Sequence, residues 1–259
     1  MNQQLVVLHE YGEPAHFRGL EHLIATKYPQ WEIRYGEFSF LAGLKKALQT
    51  RRVAPLKRHL HNLRLMQALS RSRNMTVILG MAPFDFRLVF LRKLLRNHRV
   101  FYFTSWPYWD YTRYPKRLFA GHPRVISAWK TFLEKEIAGL ITVTHRALTG
   151  LRKAYQIQAP GQVVYHAFDS TIFHPHPHRQ EEDTGPLKCL FVGRLVREKG
   201  ILKLLELIHR LPEDRFAFTL VGRGPLREAV AKSAASKRNV TYLGSIPEPD
   251  QLAEVYRNS

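Results

Sequence analysis

Residues 187–225 read LKCLFVGRLVREKGILKLLELIHRLPEDRFAFTLVGRGP. The run Leu187–Val192, with β-branched and aromatic content, ends at Gly193 as a buried strand does. Arg194 follows at once. After a short polar turn come Lys199 and Gly200, and then apolar residues at Ile201, Leu204, Leu205, Ile208 and Leu211. That spacing is one face of an amphipathic helix, and Pro212 closes it. A second run, Phe216–Val221, stops at Gly222, and Gly224 and Pro225 open another helix. Strand, tight turn and helix, repeated in that order, is the pattern of an open parallel α/β sheet. Ligands of such sheets sit at the carboxyl ends of the strands. Arg194 and Lys199 are both expected there, beside a helix N-terminus, where two cations and backbone N–H groups make a seat for a diphosphate. The plainer alternative is that Gly193, Gly222 and Gly224 only turn the sheet and that the two cations are solvated surface charges.

Three segments stand in sequence here: FVGRLVREKG at 191–200, LVGRGPLRE at 220–228 and VTYLGSIPEPDQLAEVY at 240–256. Together they resemble the start of the C-terminal domain of GT-B glycosyltransferases, in the group that includes the α-mannosyltransferases and bacterial glycogen synthases. The resemblance implies an α/β, GT-B-like fold of two Rossmann-like, doubly wound parallel sheets. It implies an enzyme that moves a sugar from a nucleotide-sugar donor to a hydroxyl acceptor with retention at the anomeric carbon. Arg194 and Lys199 would neutralise the leaving diphosphate, Gly193, Gly222 and Gly224 would border it, and backbone around Ser245 and Ile246 would edge the nucleotide base. No metal or other cofactor is implied, because the two cations take that part. The group continues into further strands and a Glu-x7-Glu motif that contacts the donor. Nothing of that kind stands between the third strand, Val240–Leu243, and Ser259, so the second sheet is expected to be incomplete and the active site to lack a part.

The whole chain sets bounds on partners. It has 259 residues, 45% of them hydrophobic, enough for one large or two small cores. Forty Lys and Arg against 21 Asp and Glu give a formal net charge of +19, and the pI is about 10.3. Such a balance calls for an anionic partner: a nucleotide-diphosphate substrate, an anionic membrane surface or nucleic acid. No recognised nucleic-acid motif accompanies the charge, which counts against the last. Cys189 is the single cysteine and sits in an apolar run, which excludes a disulfide framework. The N-terminal MNQQLVVLHE lacks a basic leader, and no apolar run approaches a bilayer-crossing length. A cytoplasmic protein, resting on the inner face of a membrane, is the expectation.

In the N-terminal part, Leu5–His9, Trp31–Tyr35, Thr76–Leu79, Val100–Thr104, Leu140–Thr144 and Val163–Tyr165 read as strands, and Val125–Ile137 as a helical stretch. The resembled group has a Gly-Gly-x-Glu loop that touches the donor phosphate. Here the match is Arg18-Gly19-Leu20-Glu21, with Arg18 in place of one glycine, so Gly19 is either a point of close backbone approach or a plain helix start. No acidic residue lies between Glu37 and Asp85, whereas Lys45, Lys46, Arg51, Arg52, Lys57, Arg58, Arg64, Arg71 and Arg73 do, interleaved with leucines. One broken or two successive basic amphipathic helices follow from this. They suit an anionic membrane surface or the outer face of a helix pair packed on the sheet.

The fourth strand runs into FYFTSWPYWDYTRYPKR at 101–117. So aromatic a loop at a strand's carboxyl end suits sugar stacking or lipid contact. The resembled group often places a histidine there facing the reacting sugar. Ser105 and Trp106 stand in its place, and Asp110 is the nearest ionisable side chain, either the general base or acceptor-orienting group or the cap of a turn. His145, after the fifth strand, either lines the cleft or starts a helix. VVYHAFDSTIFHP at 163–175 resembles the group's crossover peptide through Asp169, Phe173 and Pro175, with His166-Ala167 replacing Asn-Gly. His174, His176 and His178 alternate with prolines in a polar linker rather than forming a metal site. The expected organisation is 1–168 as an acceptor domain, 169–186 as linker and 187–259 as a partial nucleotide-sugar-binding domain. A lipid-linked or cell-envelope glycan is the expected acceptor. The competing readings are a non-enzymatic basic anion binder and an inactive fragment.

Overall fold

The first apolar run has no polar face, and accordingly it is paired on both edges. Strand β1 (Gln3–His9) runs parallel to β2 (Trp31–Glu37) on one side and to β3 (Thr76–Gly80) on the other. The computed structural model describes residues 3–10, 17–38, 54–106, 119–166, 168–175 and 185–259. They divide into two compact units, Met1–Ala167 and Phe168–Ser259.

In the first unit β4 (Arg99–Thr104), β5 (Gly139–Thr142) and β6 (Gly161–Val163) continue the parallel sheet, in the order β2-β1-β3-β4-β5-β6. Successive side chains of a strand point to opposite faces, so β1 feeds two cores. Val6 and Leu8 join Val77, Leu79, Tyr102 and Trp129 on one face, while Leu5 and Val7 join Phe17, Ile24 and Ile78 on the other. The helices are α1 (Arg18–Lys27), α2 (Ala54–Arg71), α3 (Leu88–Leu95), α4 (Pro123–Thr131) and α5 (His145–Ala154). From β1 the chain moves outward to β2 and then returns to add β3 on the other side. The carboxyl ends of β1 and β3 therefore flank a topological switch point, where open sheets leave a crevice.

The stretch Val125–Ile137 is helical as far as Glu136, in two forms: α4 ends at Thr131 and a π-helical turn covers Phe132–Glu136. That turn carries Glu136 to Arg92 of α3, whose Nε donates to Glu136 Oε2 at 2.8 Å. The last strand of the unit is Gly161–Val163 rather than Val163–Tyr165, because its register is set by β5, with Leu140 opposite Gly161. Tyr165 is left exposed. In the basic region, residues 39–53, with Lys45, Lys46, Arg51 and Arg52, lie outside the described residues. Residues 54–71 form the single helix α2, with Pro55 in its first turn, where a missing N–H costs nothing.

The second unit is a parallel sheet β7-β8-β9, formed by Leu187–Val192, Phe216–Val221 and Val240–Gly244. Its helices are α6 (Ile201–Arg210), α7 (Arg227–Ser236) and α8 (Pro249–Arg257). Ile201, Leu205 and Ile208 are the buried face of α6, packed with Phe218, Leu220, Val230 and Val240. Fully burying one such side chain contributes about 1.5–3 kcal/mol. The segment 168–175 belongs to this unit. Phe173 meets Tyr256 of α8 edge-on at 6.0 Å, and Arg257 Nη1 donates to the Ile172 carbonyl at 3.1 Å.

Candidate active site

In the second unit the strand ends are laced together. β7 and β8 pair with Val192 opposite Val221, and each strand then gives a glycine followed by an arginine, Gly193-Arg194 and Gly222-Arg223. Gly193 N donates to the Val221 carbonyl at 3.0 Å, Leu195 N to the Arg223 carbonyl at 2.9 Å and Gly222 N to the Gly244 carbonyl at 2.7 Å. The Tyr242 hydroxyl donates to the Gly222 carbonyl at 2.9 Å. The turns touch so closely that side chains have no room. A β-carbon on Gly222 would stand 1.8 Å from the Gly193 carbonyl oxygen, and one on Gly224 would stand 2.5 Å from that of Leu195.

This packing leaves a cleft of about 280 Å³ lined by Gly193, Arg194, Gly222, Arg223, Ser245 and Ile246, together with Val192, Val221 and Leu252. Among the described residues, no carboxylate lines it. Arg194 and Arg223 are exposed, and among the described residues neither is in an ion pair. Two guanidinium groups in a cleft with no carboxylate among its described lining residues suit an anion electrostatically.

Of the residues singled out in the sequence, Gly193, Arg194, Gly222 and Ile246 line this cleft together, and Gly224 packs behind it. Lys199 is not among the lining residues. It is exposed on the 3-10 turn Arg197–Lys199, next to Gly200, the N-cap of α6. Arg223 was not singled out. Its signal was the repeated tripeptide Val-Gly-Arg at 192–194 and 221–223. Gly19 belongs to the first unit, as the second residue of α1. Asp110 and most of its aromatic loop lie outside the described residues, as do His176 and His178.

The first unit has a cleft of its own at the switch point, about 300 Å³. His9 ends β1 and Glu10 follows it, Gly80 ends β3 ahead of Met81 and Ala82, Thr104 ends β4 ahead of Ser105 and Trp106, and His166 also lines it. His145 is not among these residues. It opens α5, after Thr144, whose hydroxyl caps the helix by accepting from Ala147 N at 3.1 Å. Beside this cleft Glu10 is tied down from the end of β3. Arg87 donates to Glu10 Oε1 at 3.2 Å and to both oxygens of Asp85, at 2.9 and 2.5 Å. Asp85 is buried, and its carbonyl accepts from Trp129 Nε1 at 3.1 Å. The hydrogen bond with Asp85 raises the Arg87 pKa above its ordinary value against the opposing effect of burial, and Glu10 adds to the rise. Among the described residues no group of three or more His, Cys, Asp or Glu is placed to hold a metal ion.

The second unit carries the sequence match. Residues 174–259 fit the family model "Glycosyl transferases group 1". Comparison with curated proteins finds no match. Among solved structures, the fold is similar to Alr3699/HepE of Anabaena in complex with UDP, with TM-score 0.62, 12% identity, and coverage of 96% of this chain and 71% of that one. It is also similar to an E. coli structure described as trehalose-6-phosphate bound with UDP-2-fluoro glucose, with TM-score 0.59, 12% identity, and coverage of 99% and 77%. The apo lipopolysaccharide outer core galactosyltransferase WaaB gives TM-score 0.56, 17% identity, and coverage of 97% and 71%. At these identities the likeness is one of fold. The chain has the α/β fold of GT-B glycosyltransferases, and its residues 174–259 carry the sequence pattern of Glycosyl transferases group 1.

Proposed function

We propose that this protein transfers a sugar from a nucleotide-sugar donor to a hydroxyl acceptor, with the donor diphosphate seated in the cleft of the second unit. The observation that carries the reading is Arg194: an exposed guanidinium, in no ion pair among the described residues, lining a cleft at parallel strand ends to which the described residues bring no carboxylate, within the segment that fits the glycosyltransferase family. Negative charge develops on the leaving diphosphate as the glycosidic bond breaks, and fixed cations there lower the barrier. Lys199, beside the N-terminus of α6, would add a second charge once the donor is bound. The cations do the neutralising that a metal would do, and the reaction needs no other cofactor. With the leaving group so stabilised, the acceptor hydroxyl attacks from the side the leaving group vacates, and the configuration is retained. Asp110 is the side chain proposed to orient or deprotonate that hydroxyl.

The acceptor is proposed to be a glycan on a lipid or in the cell envelope, reached from the cytoplasmic face of a membrane. Support comes from α2. Its buried side is Asn62, Leu65, Met66 and Leu69, and its exposed side presents Leu60 and Leu63 among Lys57, Arg64 and Arg71. Apolar residues ringed by cations, with no acid nearby in sequence, suit an anionic headgroup layer. Among the described residues, no helix is long and apolar enough to cross a membrane.

The test is release of nucleoside diphosphate from a panel of nucleotide sugars, with and without anionic vesicles carrying lipid-linked glycans. Arg194→Ala and Lys199→Ala are expected to cut turnover on the order of a hundredfold each. Undiminished turnover in Arg194→Ala would place the donor elsewhere. Tight binding of a nucleic acid with a steep salt slope, and of no sugar nucleotide, would favour a basic binding module instead.

A further inference from the structure

The second Val-Gly-Arg tripeptide points to a residue that the family pattern did not. Val192 and Val221 are register partners on neighbouring parallel strands, so Arg194 and Arg223 stand at equivalent places, two residues beyond each strand's last pair. Neighbouring strands lie about 5 Å apart, and both arginines line the same cleft. We propose that Arg223 is a second anion-binding residue of this cleft, closing with Arg194 on the two phosphoryl groups of a nucleoside diphosphate. The proposal rests on the reading of the cleft as a donor seat and adds to it a residue and a selectivity.

Three observations support it. First, the backbone that carries Arg223 is fixed. Its carbonyl accepts from Leu195 N at 2.9 Å, and Gly222 before it packs against the Gly193 carbonyl. Second, arginines with a structural role in this protein are paired: Arg87 with Asp85 and Glu10, Arg92 with Glu136, Arg257 with Glu254. Arg194 and Arg223 have no such partner among the described residues. Third, side-by-side like charges repel, and the arrangement is relieved by an anion that can meet both. A diphosphate offers one phosphoryl group to each guanidinium fork. A monophosphate would have to share its one phosphoryl group between both forks, so the pair favours a diphosphate over a monophosphate of the same nucleoside.

The experiment is calorimetric titration of the full chain with UDP, GDP and ADP, followed by the monophosphate and nucleoside of whichever base binds tightest. Arg223→Ala is expected to weaken the diphosphate roughly tenfold or more, the loss of one charge-assisted contact. The monophosphate should weaken less and the nucleoside not at all. Arg223→Lys, which keeps the charge and loses the fork, should fall between, and melting temperatures should match wild type. If Arg194→Ala weakens the diphosphate and Arg223→Ala does not, the two-arginine clamp is wrong while the donor seat stands. If Arg223→Ala weakens all three ligands equally, Arg223 shapes the cleft rather than binding phosphate, and the proposal falls. If the wild type binds no nucleoside diphosphate, the seat itself is wrong and the clamp with it.

Discussion

The Gly193 carbonyl oxygen stands 1.8 Å from where a β-carbon on Gly222 would be. No rotation of a side chain can relieve that overlap, because the β-carbon's place is fixed by the Gly222 backbone, the oxygen is itself backbone, and both residues are hydrogen-bonded to the neighbouring strand. Gly222→Ala should therefore cost about 2–4 kcal/mol and displace the turn that carries Arg223. Gly200 is a useful contrast. Its φ is +73°, but a β-carbon there meets nothing within 4 Å, so Gly200→Ala should cost only about 1–2 kcal/mol. Chemical denaturation of the two variants checks the order.

Asp85 holds Arg87 in the first unit from a buried position. Removing one partner of a buried pair strands the other's charge, which commonly costs about 3–5 kcal/mol. Arg87 keeps some solvent contact and its bond to Glu10, so Asp85→Ala should lose about 2–3 kcal/mol, below that range. Equilibrium unfolding measures it, and a loss well under 1 kcal/mol would mean that the cluster is not structural.

Tyr155 supplies a pH dependence. Burial, and then the neighbouring Glu134 carboxylate, push its hydroxyl up to about 12, against an ordinary value of about 10. The folded state holds the proton more tightly than the unfolded chain does. The resulting stability is complete below about pH 10 and is lost as the pH rises through about 12. The difference in stability between wild type and Tyr155→Phe should thus shift against wild type across that window and stay constant below it.

The fold was legible where local chemistry ends an element. Gly193 and Gly222 stop β7 and β8 at the residues where the sequence stops being apolar. Ile201, Leu205 and Ile208 declare the buried face of α6. Less legible was anything fixed by a distant partner. The three residues of β6 take their register from β5, and Glu10 meets Arg87 across 77 positions of chain. The π-helical turn that brings Glu136 to Arg92 leaves no mark in hydrophobic spacing. Arg223 was visible only as a repeat, and a repeat acquires meaning once Val192 and Val221 are known to be neighbours.

On α2, each lysine or arginine near an anionic surface contributes about 1 kcal/mol. Replacing Lys57, Arg64 and Arg71 together with serine should weaken binding to anionic vesicles on the order of a hundredfold, with little change for neutral ones. Replacing Leu60 and Leu63 with serine should weaken both. Sedimentation with vesicles distinguishes the two effects, and unchanged binding in both variants would remove α2 from the membrane.

Amide hydrogen exchange, followed by mass spectrometry with and without the nucleoside diphosphate of the preferred donor, tests the location of the donor seat most directly. The account predicts slowed exchange in peptides covering residues 193–200, 222–227 and 244–246. Slowed exchange elsewhere, with those three stretches unchanged at saturating ligand, would contradict it.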